Sequence, residues 1–298
     1  MSPSATFPLL AGLVGAAAAS LIGAAGQAGV AHRPRIDQAA SGPLAVAPDG
    51  RRLVLTFSDD FDSFRPWTGR EGVWRTTYGD GQDKGVRKRT LPANAERQVY
   101  VDEELLDDEG RGGFSPFSVR AGLLEIQATP LPRRFSRVAG DLRYSSGLIN
   151  TQPSFSQLYG YFEMRALLPV GKGLWPAFWM LPADLSWPPE IDVMESIGDA
   201  GKVYVTAHSN AAKGHGGEAS VTPGVFHTFA VSWDERQLVW YVDGVAVERQ
   251  TTPADMHKPM FLLANLAVGG NWPGDPDATT RFPAVYAIDY IRAYRFAP

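Results

Sequence analysis

Three carboxylates fall within the six residues Glu190-Ile191-Asp192-Val193-Met194-Glu195. The apolar and β-branched side chains between them read as a strand. Side chains on a strand alternate between its faces, so Glu190 and Asp192 share one face and Glu195 points to the other. One extra residue near Val193 or Met194, a β-bulge, would return Glu195 to its companions, and bulges recur beside active sites. Crowded like charges raise one another's pKa, so one acid holds a proton near neutral pH while a neighbour is ionised. Retaining glycoside hydrolysis uses that division, with carboxyls roughly 5–5.5 Å apart. Glu190 would attack the anomeric carbon. Glu195 would protonate the leaving oxygen and then activate water, and Asp192 would hydrogen-bond to Glu190 and tune its charge. For the acids taken alone, a solvated acidic edge strand or a metal site remains the alternative.

The surroundings favour the chemical reading. Upstream runs Gly171-Lys172-Gly173-Leu174-Trp175-Pro176-Ala177-Phe178-Trp179-Met180-Leu181-Pro182. With the acids, this resembles the family 16 glycoside hydrolases in their laminarinase-like branch. There the motif is Glu, an apolar residue, Asp, two apolar residues and Glu, preceded by Trp-Pro-Ala-x-Trp. The resemblance extends from about Phe57 to the C-terminus. It implies an all-β fold, a concanavalin-like sandwich or jelly roll of two antiparallel sheets with a concave cleft. It also implies Glu190 as nucleophile, Asp192 as its assistant and Glu195 as acid/base, with no cofactor for catalysis.

Further positions follow from the same resemblance. Asn94-Ala95-Glu96-Arg97-Gln98-Val99-Tyr100 resembles a family stretch, Asn-x-Glu-x-Gln-x-Tyr, that lines the donor side of the cleft. Strand alternation would put Asn94, Glu96, Gln98 and Tyr100 on one face, where polar groups beside a ring suit a sugar. Trp175 and Trp179 lie close to the acids in sequence, and at least one of them is expected to form a sugar-stacking platform at the cleavage subsite. His208 matches a histidine that the family carries close to the carboxylates, and Asn271 and Trp272 are candidate subsite contacts. Asp289 matches an aspartate with which many members hold a structural calcium; a salt bridge is the equal alternative for a lone Asp.

The elements that must position these residues are mostly strands. Val203–Ser209 reads as the neighbour of the acid strand, and Ser186-Trp187-Pro188-Pro189 as a rigid lead into it. Tyr159–Ala166 alternates, with Tyr161, Glu163 and Arg165 on one face and a Glu163–Arg165 cross-strand pair expected. Phe226–Val247 is a hairpin turning at Asp243-Gly244. The acids of Val54–Asp62 read as a surface turn. Residues 79–92, 129–143 and 210–219 read as loops that would decide the substrate.

Composition bounds the rest. The chain has 298 residues, 44% of them hydrophobic, with eight Trp and ten Tyr, ample for one domain over residues 53–298. A formal net charge of −4 argues against a nucleic-acid partner. There is no cysteine, which removes disulfides, thiolate chemistry and cysteine-ligated zinc. His215, His227 and His257 lack metal-ligand spacing. Residues 1–31, with the apolar run Phe7 to Ile22, read as an export signal, and residues 32–52 as a linker. The expectation is a secreted or periplasmic monomer that acts on polysaccharide and is not held in a membrane in its mature form. The leading activity is endo-hydrolysis of β-1,3 or mixed β-1,3/1,4 bonds with retention. Alternatives are a depolymerase of bacterial exopolysaccharide, galactan or carrageenan, and a non-catalytic carbohydrate-binding sandwich.

Overall fold

The computed structural model describes residues 42–79, 85–213 and 215–298. The export signal, the first part of the linker and part of the 79–92 loop lie outside them. The strands in chain order are β1 (Leu53–Asp59), β2 (Gln98–Tyr100), β3 (Phe117–Arg120), β4 (Leu123–Pro130), β5 (Tyr144–Ser146), β6 (Leu148–Asn150), β7 (Gly160–Leu167) and β8 (Leu174–Pro182). They continue with β9 (Glu190–Glu195), β10 (Lys202–His208), β11 (His215–Ser220), β12 (His227–Trp233), β13 (Gln237–Val242), β14 (Val245–Thr251), β15 (Met260–Val268) and β16 (Ala284–Phe296).

These strands form two sheets. One has the order β14-β13-β12-β7-β16-β4-β5-β2, with β1 added to β16 and β3 to β4. The other has the order β11-β10-β9-β8-β15-β6. Pairing is antiparallel apart from the short β2–β5 contact. The result is the expected all-β, jelly-roll sandwich. Asp243 and Gly244 turn β13 into β14 with φ of 50° and 75°, the left-handed pair that a two-residue hairpin requires.

The core follows from period-two alternation. Leu174, Phe178 and Met180 of β8, Val203, Val205 and Ala207 of β10, and Leu262, Ala264 and Leu266 of β15 all enter it. Phe162, Met164, Val231, Trp233, Trp240 and Ile288 meet them from the other sheet. Each such side chain contributes roughly 1.5–3 kcal/mol on full burial. The alternate residues of β8, β10 and β15 therefore face the other way, and that face carries the site.

Several local expectations change. The folded body begins before Leu53: Ala47 is buried against Tyr161, Tyr241 and Tyr294, and the Leu44 N–H donates to the Tyr294 hydroxyl. Residues 215–219, read as the end of a loop, belong to edge strand β11 on β10. Their glycines misled, because they mark close approach rather than a turn. A Cβ on Gly217 would lie 2.6 Å from Glu248 Oε2, and one on Gly216 2.8 Å from the Val205 carbonyl oxygen. Asp59 is buried and accepts from the Trp74 indole and the Phe61 N–H, so it is no surface-turn acid. Glu163 and Arg165 lie on one strand, β7, and so are no cross-strand pair. Glu163 accepts from the Tyr161 and Tyr290 hydroxyls, whereas Arg165 binds Asp289. No helix among the described residues is long and apolar enough to cross a membrane.

Candidate active site

The acid strand is bulged at the expected place. Glu195 pairs with Tyr204 of β10 and Asp192 with Thr206, so three steps on β9 face two on β10. On the other side Met194 pairs with Phe178 and Asp192 with Trp179, leaving Val193 as the extra residue. Val193 and Met194 consequently both enter the core, together with Ile191. Glu190, Asp192 and Glu195 are left on the opposite face. The Asp192 carbonyl oxygen is satisfied from the other sheet, where the buried Trp240 indole donates to it at 2.9 Å.

Glu190 and Glu195 open into a cavity of about 800 Å³. Asp192 lies beneath them, 2% exposed. Each open carboxylate accepts from an indole. Trp175 Nε1 donates to Glu195 Oε1 at 2.9 Å, and Trp187 Nε1 to Glu190 Oε2 at 2.5 Å. Burial pushes the Glu195 pKa up to about 7; the Trp175 donor opposes the rise and the Glu190 charge adds to it. Burial also holds Asp192 well above the usual carboxylate range, with the charges of Glu190 and then Glu195 acting in the same direction. His208 Nε2 lies 3.2 Å from Asp192 Oδ2, yet the geometry makes no hydrogen bond there and that buried oxygen is unsatisfied. A proton on Asp192, which its raised pKa favours, would make it a donor toward Glu190. Glu190, Asp192 and His208 also bring one potential ligand atom each within 4.8 Å of one another, and so could hold a metal ion.

Aromatic and polar walls enclose the acids. Trp175, Trp179, His208, Asn94 and Trp272 all line the cavity. Trp179 is anchored by its indole, which donates to Asn265 Oδ1 at 2.7 Å. Trp272 stands edge-on to Trp175, with ring centroids 5.6 Å apart, and to Tyr204 at 4.8 Å.

Other expected contacts sit behind the wall. Asn94 closes a 3₁₀ turn that begins at Pro92, and Ala95 has φ 56°, so the strand alternation does not reach back from β2. Glu96 is buried and accepts from the Leu91 N–H, the Asn94 amide and the Gln98 amide. Tyr100 is also buried, and its hydroxyl accepts from Asn265 Nδ2 at 2.9 Å. These two residues position the wall rather than line it. Asn271 joins two loops, its N–H donating to the Asn94 carbonyl and its Nδ2 to that of Ala93. Asp289 is away from the cleft; its carboxylate is engaged by Arg165, and a guanidinium there competes with the cation that the sequence suggested.

Tyr78, Thr206, Asn150 and Trp187 also line the cavity and were not picked out from sequence as site residues. Thr206 was within reach, since it lies two before His208 on one strand. Trp187, three before Glu190, read only as part of a rigid lead. Tyr78 comes from an irregular segment and meets Trp179 edge-on at 6.2 Å; no periodicity announces it.

Comparison with known proteins identifies the family. The sequence profile of the glycosyl hydrolases family 16 matches residues 117–292. The chain is 41% identical over 266 residues to an endo-1,3-1,4-beta-glycanase of Rhizobium meliloti, covering 87% of this chain and 55% of that protein. A second such glycanase of the same organism is 41% identical over 264 residues. The chain thus spans about half the length of these curated relatives. Among solved structures, the laminarinase catalytic domain of Thermotoga maritima is 34% identical with a TM-score of 0.66, covering 83% of this chain and 99% of that one. The endo-beta-1,3-glucanase of Pyrococcus furiosus is 30% identical with a TM-score of 0.68, covering 86% and 99%. A match over more than half the chain, on a shared sandwich with the acids in its cleft, places this protein in glycosyl hydrolases family 16.

Proposed function

We propose that this chain hydrolyses internal β-1,3 or mixed β-1,3/1,4 bonds of a glucan with retention of anomeric configuration. The observation that carries the reading is the bulge, which turns Glu195 into the same cavity as Glu190. Relatives described as endo-1,3-1,4-beta-glycanases and laminarinases support the substrate class. An open cleft walled by Trp175, Trp179, Trp272 and Tyr78 suits a polysaccharide, whose sugar faces stack on rings.

The mechanism follows from the electrostatics. Glu195, with its pKa near 7, carries a proton in mildly acidic solution and delivers it to the leaving glycosidic oxygen. Glu190 attacks the anomeric carbon and forms a glycosyl ester. Asp192 donates its hydrogen bond to Glu190 from beneath. Glu195, now ionised, takes a proton from water, which cleaves the ester with a second inversion. His208 faces Asp192 across the cleft floor and borders the sugar.

The test is reducing-sugar release from laminarin and lichenan by wild type beside Glu190→Gln. Release by wild type that the substitution abolishes supports the reading. Binding to both glucans without release, or release by both proteins, contradicts it.

A further inference from the structure

Trp187 is 66% exposed, yet its indole N–H is spent on one oxygen of Glu190 at 2.5 Å. The terminal torsion of a glutamate is broad, so the carboxylate plane of Glu190 needs outside contacts to fix it. Asp192 lies buried beneath it, and the Trp187 indole supplies a hydrogen bond from the cleft side.

The segment that carries Trp187 is braced. The Ala183 N–H donates to the Pro259 carbonyl at 2.9 Å. Asp184 accepts from the Ser186 N–H at 3.0 Å and from its hydroxyl at 2.6 Å. Lys258 Nζ reaches both Asp184 Oδ2, at 3.0 Å, and Ser186 Oγ, at 3.1 Å. The Ser186 hydroxyl and N–H, then Lys258, pull the Asp184 pKa down to about 2. Asp184 therefore stays ionised in neutral and mildly acidic solution. Pro188 and Pro189 fix φ for the last two steps before Glu190.

We propose that Trp187 is a positioning residue for Glu190, held in place by the Lys258–Asp184–Ser186 brace. This rests on Glu190 being the nucleophile. One indole-held oxygen orients the carboxylate so that its attack on the anomeric carbon needs no search over rotations. The residue acts through Glu190, so its loss is felt in the chemical step more than in substrate affinity.

The experiment compares wild type, Trp187→Phe, Lys258→Met and Glu190→Gln on lichenan. It is paired with the rate at which an epoxyalkyl β-glucoside labels residue 190, read by mass spectrometry. Phenylalanine keeps the ring and removes the donor, at an exposed site where folding is undisturbed. A hydrogen bond to a charged group corresponds to roughly a tenfold rate effect. Trp187→Phe is therefore expected to lower kcat about tenfold, with KM within about twofold and labelling slowed in proportion. Lys258→Met is expected to lower kcat about threefold through the loosened brace. Unchanged kcat and labelling in Trp187→Phe, or a change in KM alone, overturns the proposal while leaving the function intact. A wild type without hydrolysis, or an active Glu190→Gln, overturns the function and this inference with it.

Discussion

Burial, the Trp175 indole and the charge of Glu190 set the protonation of Glu195. Glu195 must be protonated to act as the acid, so kcat/KM should fall as pH rises through about 7, where its pKa lies. The Trp175 N–H favours the charged form of Glu195. Its removal in Trp175→Phe raises that pKa, and the alkaline limb of the pH–rate profile should move to higher pH; a limb that stays or moves down contradicts the assignment. Glu195→Ala should lose about 10²–10⁴-fold on polysaccharide and far less on an aryl glycoside whose leaving group needs no proton. Equal losses on both substrates would show that Glu195 is not the acid.

The bulge on β9 is the element on which the site turns. Its position was legible in sequence because three acids at this spacing cannot share a face of a regular strand. What holds it was not, since Trp240 lies 48 residues from Asp192 on the opposite sheet. Trp240→Phe leaves the Asp192 carbonyl oxygen without its buried donor. A loss of about 1–3 kcal/mol in unfolding free energy is expected, read from the urea midpoint, together with a kcat that falls more than KM rises. Unaltered stability would mean that the indole does not support the bulge. The reach of β2 was misread for a related reason. Pro92 and the left-handed Ala95 end the alternation before Asn94, so Glu96 and Tyr100 fall behind the wall that Asn94 lines.

At the scale of the molecule, period-two patterning marked β7, β12 and β13 as strands, and the sandwich itself was read from the resemblance carried by the acid motif and the tryptophan segment. Contacts between distant segments were not readable, and they decided the rest: residues 44–47 on Tyr294, Glu248 against Gly217, and Arg165 on Asp289. Because the Asp289 carboxylate is already engaged by Arg165, chelation by EDTA should leave Tm unchanged; a fall of several degrees that Asp289→Asn removes would place a structural cation at that residue. Stability should also carry the imprint of Glu195. Its folded-state pKa of about 7 lies above the ordinary 4.5, so the folded state binds the extra proton between those values. Stability is then fully present below the ordinary value and declines as pH rises through about 7. Glu195→Gln removes that decline, and its Tm should exceed wild type at about pH 8 and match it near pH 4.

Azide rescue bears most directly on the two glutamates. With Glu195→Ala and an activated β-glucoside, azide should enter from the face that the acid/base serves, while Glu190 still forms the ester. NMR should then identify the β-glycosyl azide. An α-azide, or rescue seen only when Glu190 is the residue replaced, would contradict the roles given to Glu190 and Glu195.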